Sequence, residues 1–271
     1  MAAAVVKCQR MATDPATDPA TLFSLAGRNA LVTGASGALG EHFARVLHAA
    51  GARVALAARR ADALAKLAAE LGERAAAVPL DVTDAAAVGR AFDAAEAAFG
   101  GPCDLLVNNA GVAVTRPALK QTEEDWDGVL DVNLRGCFLV AQAAAQRLVA
   151  ANRPGSIINI ASVGGLRVLS GVVGYTASKA ALLQMTRQLA VEWARHNIRV
   201  NAIAPGYVLT PINAEFFATE AGQALVKRSP QRRLGKPDDL SGPLLLLASD
   251  AGAHMTGATL VVDGGHSVNA L

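Results

Sequence analysis

Tyr175 and Lys179 stand four residues apart in Y-T-A-S-K, a spacing that puts both side chains on one face of a helix. A phenol is a poor base at neutral pH, and an ammonium one helical turn away stabilises its phenolate. Such a pair can give or take a proton at a reacting oxygen. The chain holds two tyrosines and six lysines, so chance alone produces the spacing in about 4% of random placements, and its position must add the specificity. Ser162 closes the apolar run S-I-I-N-I-A-S. It is placed to hydrogen-bond a substrate oxygen where charge develops.

A second constellation is T33-G-A-S-G-A-L-G40, with glycines at 34, 37 and 40. It follows an apolar run and opens a helical stretch, the context in which a glycine turn lets a pyrophosphate approach the backbone and a helix N-terminus. A dinucleotide is therefore expected there. The second apolar run ends V54-A-L-A-A-R-R60. It lacks the carboxylate that would hold a ribose 2′-hydroxyl. Arg59 offers instead a guanidinium suited to a 2′-phosphate. NADP(H) is favoured on this ground, with NAD(H) the alternative. The bland reading of Arg59 and Arg60 is a pair of solvated loop charges.

The elements that must position these groups follow from hydropathy. Short runs rich in Val, Ile, Leu and Ala at 30–34, 53–58, 76–82, 104–111, 156–162, 198–205 and 259–265 read as strands. Helical stretches at 41–52, 61–72, 85–100, 123–151, 175–196 and 237–249 alternate with them. Alternation of this kind implies an α/β fold, a doubly wound parallel sheet (Rossmann-type) of about seven strands flanked by helices on both faces. Ligands in such sheets bind beyond the carboxyl ends of the strands. Gly34, Arg59, Asp81, Asn109, Ser162 and Gly206 all fall at or just past those ends. No linker divides residues 25–271, so one dinucleotide-binding and catalytic domain is expected, with a lid over the substrate around 207–235. Residues 1–24 read as a disordered tail, with Met11 a possible start. The two prolines of the repeat ATDPATDPAT (12–21) argue against helix.

Composition narrows the function classes. The 271 residues carry 25 basic and 23 acidic side chains, net +2, with no basic stripe that would suggest nucleic acid. No apolar run has the length of a membrane span. Cys8, Cys103 and Cys137 lack CxxC spacing and read as reduced thiols, which suggests a cytoplasmic protein. The five histidines show no metal-ligand spacing, and no metal is expected.

The chain resembles the short-chain dehydrogenase/reductase family over residues 25–268. The ordered motifs are TGASGALG (33–40), Asp81-Val82, NNAG (108–111), VNLRG (132–136), Ser162, YTASK (175–179), Pro205-Gly206 with Thr210, and VDGG (262–265). The resemblance implies a catalytic set of Asn133, Ser162, Tyr175 and Lys179. Tyr175 would be the acid/base and Ser162 would orient the carbonyl. Lys179 would also bind the nicotinamide ribose, and Asn133 would anchor a relay water. It implies cofactor contacts from Gly34, Ser36, Gly37, Leu39, Gly40, Arg59, Asp81, Val82, Asn109, Ala110, Gly111, Pro205, Gly206, Val208 and Thr210, beside Tyr175 and Lys179. Asp81 would reach the adenine, Asn109 would lie along the cofactor, and Val208 and Thr210 would meet the nicotinamide amide. It also implies a homotetramer or dimer.

One departure from the family pattern is the middle glycine, at position 37 where the single-domain branch has it at 38. Many NADP-preferring relatives carry a basic residue at 37, which leaves Arg59 and Ser36 to hold a 2′-phosphate. Residues 163–173 with 207–235 are expected to line an apolar pocket. Phe216 and Phe217 either face the substrate or pack on the sheet. The expected function is hydride transfer between the nicotinamide and a ketone or secondary alcohol, of a fairly apolar substrate or a keto-sugar acid. One alternative is 3-oxoacyl-carrier-protein reduction, with Arg153 and His196, beside Arg195, at the carrier-holding positions. The other is a non-catalytic cofactor-binding regulatory protein, against which the intact catalytic set argues.

Overall fold

The computed structural model describes residues 18–211 and 213–269. Expectations about residues 1–17, including Cys8 and the alternative start, lie outside them.

Seven parallel strands form one sheet: β1 Asn29–Thr33, β2 Arg53–Ala58, β3 Ala75–Pro79, β4 Leu105–Asn108, β5 Gly155–Ile160, β6 Ile198–Pro205 and β7 Thr259–Val262. Their order is β3-β2-β1-β4-β5-β6-β7, so the winding reverses between β1 and β4. Alternation along the strands supplies two cores. Ala30, Val32, Val54, Leu56, Leu105, Val107, Ile158 and Ile160 face one way. Leu31, Ala55, Ala57, Leu106, Ile157 and Val200 face the other.

On the first face pack α2 Ala38–Ala49, α3 Ala61–Leu71 and α10 Ser241–Ala248, through Phe43, Leu47, Leu64, Leu244 and Leu247. On the second pack α4 Ala85–Phe99, α6 Cys137–Ala150 and α7 Val173–Trp193, through Phe92, Val140, Leu148 and Leu189. Each fully buried Leu or Phe contributes roughly 1.5–3 kcal/mol. The many alanines in the helices let these layers sit close to the sheet.

Two sequence readings change. Pro19–Leu22 forms a single helical turn, α1, inside the repeat expected to be non-helical. Asp18 caps it by accepting from Ala20 N at 3.2 Å, and Pro19 sits at the helix start, where no amide N–H is missed. The long helix expected over 123–151 is three pieces: α5 Glu123–Leu130, a π-helical turn Asp131–Gly136, and α6. A capping box between Thr122 and Asp125 starts α5. Between β6 and β7 lie α8 Ala214–Ala218 and α9 Glu220–Arg228.

Candidate active site

The glycine turn leaves β1 through Gly34, whose φ of +66° belongs to the left-handed region. A Cβ there would lie 2.9 Å from Asn109 Nδ2, and one on Gly40 would lie 2.2 Å from Gly34 O. The turn is thus closed to side chains where it bends and where α2 passes over it. Thr33 Oγ1 accepts from Asn109 N at 2.9 Å and from Ala110 N at 3.0 Å, and Asn109 Nδ2 donates to Thr33 O at 2.9 Å. These bonds lock β1 to β4 at the switch point. Gly37, at the N-cap of α2, carries no side-chain cap. The first-turn amides are left free for an anion.

On one side of the turn opens a depression of about 420 Å³, lined by Gly34, Ser36, Gly37, Arg59, Asp81, Val82, Ala110 and Gly111. Thr83 N and Thr83 Oγ1 donate to Asp81 Oδ1 at 3.0 and 2.8 Å, and these bonds hold the carboxyl below the usual range. Arg59 adds a smaller effect in the same direction. Arg60 also lines the depression, and its guanidinium donates to Ser36 O at 2.5 Å and to Ser36 Oγ at 3.3 Å. The sequence reading gave Arg60 no role of its own. The signal was its place one residue past Arg59, beyond the end of β2.

On the other side lies a cleft of about 340 Å³. Leu39, Asn109, Gly111, Ser162, Tyr175, Lys179, Pro205, Gly206, Val208 and Thr210 all line it. Tyr175 and Lys179 share a face of α7, with Lys179 Nζ 5.7 Å from the Tyr175 ring centroid. The lysine is only 4% exposed and donates to Ile160 O at 2.7 Å. Ser162 Oγ accepts from Gly164 N at 3.0 Å, which leaves the hydroxyl proton available to an acceptor in the cleft.

Asn133 is fully buried in the π-helical turn, a distortion frequent at functional sites. Its Oδ1 accepts from Val112 N at 2.8 Å, and its Nδ2 donates to Val112 O at 2.9 Å and to Ser178 Oγ at 3.0 Å. Ser178 Oγ donates onward to Tyr175 O at 2.7 Å. Asn133 therefore touches the turn of α7 that carries Tyr175, through a residue the sequence reading passed over.

The segment 207–235 is pinned at its base, where Leu209 N donates to Gly235 O and Gly235 N to Tyr207 O, both at 2.9 Å. Asn213, also unforeseen, accepts from Thr210 N at 2.9 Å and donates to Val208 O at 2.8 Å. Phe217 is buried and stacks edge-on against Tyr207 at 5.5 Å, while Phe216 is half exposed; neither lines the cleft. The expected apolar lining is present, with more polar groups beside it than foreseen. Val163 and Leu169 line the cleft, and Val168, Leu169 and Leu225 line the depression beside it, together with Arg167, Ser170, Arg228 and His266.

The candidate residues therefore lie along one groove at the carboxyl ends of the strands. The recess beside the glycine turn and the cleft of Tyr175 meet at Gly111 and Val112, which line both. Bare backbone at Gly34 and Gly40 suits a dinucleotide pyrophosphate, and Arg59 suits a 2′-phosphate.

Comparison with known proteins agrees in extent. The family described as enoyl-(acyl carrier protein) reductase matches residues 34–267. D-Threitol dehydrogenase of Mycolicibacterium smegmatis is 41% identical over 249 residues, covering 91% of this chain and 95% of that one. 2-Dehydro-3-deoxy-D-gluconate 5-dehydrogenase of Escherichia coli K12 is 41% identical over 250 residues, covering 90% and 96%. The crystal structure of a gluconate 5-dehydrogenase from Burkholderia cenocepacia J2315, in complex with NADP and tartrate, superposes with a TM-score of 0.87. It is 37% identical and covers 92% of this chain and 98% of that one.

Proposed function

The chain belongs to the short-chain dehydrogenase/reductase family, and from that premise we propose that it oxidises a secondary alcohol of a small polyhydroxy compound, or reduces the matching ketone, with NADP(H). The observation that carries this is the shared groove. Tyr175, Lys179 and Ser162 open onto the same cleft as the residues that leave the glycine turn. The substrate class is supported by the three relatives described above, which are named as polyol and sugar-acid dehydrogenases. NADP(H) over NAD(H) is supported by Arg59, by Arg60 against Ser36, and by the NADP held in the Burkholderia structure.

When bound, the nicotinamide supplies a hydride acceptor or donor. In the oxidative direction Tyr175 takes the hydroxyl proton as the carbinol carbon becomes a carbonyl, and Ser162 holds that oxygen by a hydrogen bond. Lys179, almost enclosed by protein and 5.7 Å from the centroid of the Tyr175 ring, is the residue assigned to the nicotinamide ribose. Asn133 spends its carboxamide on Val112 and Ser178, so its contribution is to fix the loop after β4 and the turn beneath Tyr175. The remaining assigned contacts, from Gly34 to Thr210, follow the groove. In this reading residues 25–271 act as one domain, with 207–235 covering the substrate.

A cytoplasmic setting fits the free, buried Cys103 and Cys137. Burial pushes the Cys103 thiol up to about 12, which makes it inert. A homotetramer or dimer fits exposed apolar side chains such as Val191 on α7 and Val149 on α6.

The carrier-protein alternative is weakened by its own residues. Arg153 pairs with Asp104 at 3.4 Å, and Arg195 Nε donates to His196 Nε2 at 3.1 Å. Both groups precede the amino ends of β5 and β6, the opposite end of the strands from Ser162 and Pro205. Initial rates with NADP+ and NAD+ over a panel of polyols and aldonic acids test the proposal. A preference for NADP+ of about tenfold or more in kcat/KM is expected from one charge-assisted pair. Equal use of NAD+, or turnover confined to acyl thioesters, would contradict it.

A further inference from the structure

Beside the cleft of Tyr175 lies a second depression of about 290 Å³. Tyr207 and Leu169 line both, so the two share a wall. The far side of that wall carries the guanidinium side chains of Arg167 and Arg228, beside the imidazole of His266. These come from three distant stretches of chain: the loop after β5, the end of α9 and the turn after β7.

Both arginines are exposed at the rim, and neither has a carboxylate partner among the described residues. Arg167 is nevertheless held in place. Its Nε donates to Ser267 O at 2.5 Å and its Nη2 reaches Asn269 O at 3.5 Å. Asn269 Nδ2 donates to Arg228 O at 2.8 Å, tying the same turn to the end of α9. Asp263, on the adjoining turn, spends its oxygens on Gly265 N at 2.8 Å and Ser267 N at 2.6 Å and faces a different depression. The partition itself is fixed, because the Tyr207 ring stands edge-on between Phe217 at 5.5 Å and His266 at 5.2 Å. Two guanidinium side chains and an imidazole thus line the recess beside Val168, Leu169 and Leu225, and no acidic side chain among the described residues lines it.

We propose that this recess is a carboxylate subsite, and that the substrate is a polyhydroxy carboxylic acid rather than a neutral polyol. Its anionic end sits against Arg167 and Arg228, and its reacting carbinol extends past Tyr207 to Tyr175. The inference rests on the alcohol-oxidation reading and adds the charge of the substrate to it. A guanidinium fork matches a carboxylate with two parallel hydrogen bonds. A neutral polyol ending in a hydroxymethyl group leaves both forks without an anion, and the difference between the two is specificity.

The test uses matched pairs, gluconate against glucitol and threonate against threitol, with NADP+ and the full chain. Wild-type protein, Arg167→Gln and Arg228→Gln are compared, with Arg228→Lys as the conservative variant and Tyr175→Phe as the control. The acid is expected to exceed its neutral partner in kcat/KM, and each Gln substitution to lower that ratio by about tenfold or more. The change should lie in KM for the acid, with partial recovery in Arg228→Lys. Tyr175-dependent turnover that favours the neutral member, with a ratio neither Gln substitution moves, would overturn the subsite and leave the alcohol-oxidation reading standing. Absence of Tyr175-dependent turnover for both members of both pairs would overturn that reading and the subsite with it. NADPH binding and thermal melting of each variant separate a lost subsite from a lost fold.

Discussion

The two halves of the groove are built differently. The cofactor half is made of backbone: Gly34 in the left-handed region, Gly40 beneath Gly34 O, free amides at the start of α2, and Thr33 clamping the loop after β4. The substrate half is made of side chains, from 163–170, 207–228 and 263–269, that meet only in the folded chain. Backbone sites need particular residues at fixed spacing, because only glycine tolerates the bend and the close approach. Side-chain sites need only some suitable residue on each segment, and the fold chooses which one faces inward.

That contrast can be broken or sharpened by substitution. The largest effect is expected at Gly40→Ala, whose Cβ would stand 2.2 Å from Gly34 O. NADPH affinity, followed by fluorescence titration, should fall by ~100-fold or more, about 2.7 kcal/mol. An alanine variant that binds within threefold of wild type would mean that the turn is not backbone-limited. Next comes Arg59→Ser with Arg60→Ser. Loss of the paired guanidinium bonds should lower the NADP+ over NAD+ ratio of kcat/KM by ~30-fold, and Arg60→Ser alone should account for part of it. An unchanged ratio would return both arginines to solvated loop charges.

A smaller effect is expected at Ser178→Ala, which leaves the buried Asn133 Nδ2 without one acceptor. Turnover should drop ~5–10-fold, as one lost hydrogen bond of about 1–1.5 kcal/mol implies, with cofactor affinity held. A drop in cofactor affinity without a change in kcat would place Ser178 outside the alignment of Tyr175.

The smallest concerns the base of segment 207–235. Arg233 Nη1 and Nη2 donate to Asp239 at 2.6 and 3.1 Å and, with the Lys236 N–H, hold its carboxyl at about 2. The folded pKa lies below the unfolded value of about 3.9. The pair therefore stabilises the fold above that value, and its contribution fades as pH falls from about 4 through about 2. Asp239→Asn should cost less than ~1 kcal/mol at pH 7, because the pair is solvent-screened. Thermal melts at pH 7 and pH 2 should show the difference from wild type shrinking; a constant difference would assign it to packing instead.

The contrast also explains what could be read from the chain alone. Strand and helix alternation gave the sheet and its two covered faces, because parallel strands buried on both sides are continuous apolar runs such as ALV and SIINI. Gly34, Arg59, Asp81, Asn109, Ser162 and Gly206 were legible as candidates because each falls at or just past a strand end. The π-helical turn at Asn133 was not, since nothing in D-V-N-L-R-G separates a π-helical turn from an α-helical one, and Asn133 finds its partners, Val112 and Ser178, far along the chain. Arg60 was overlooked because its target, Ser36, is 24 residues away across two strands. The placement of Arg167 has no local sequence cause; it depends on carbonyls of Ser267 and Asn269, about one hundred residues on.

The central claim is that Tyr175 moves the proton in a cleft whose cofactor half stands independently of it. The direct test is Tyr175→Phe, measured as NADPH formation from NADP+ with the best alcohol of the panel and, in parallel, as NADPH affinity. Turnover should fall by at least ~10³-fold, within the range seen for general acid/base groups, while affinity stays within about threefold. Retained turnover would remove Tyr175 from the chemistry, and lost affinity would mean that the two halves of the groove are not separable.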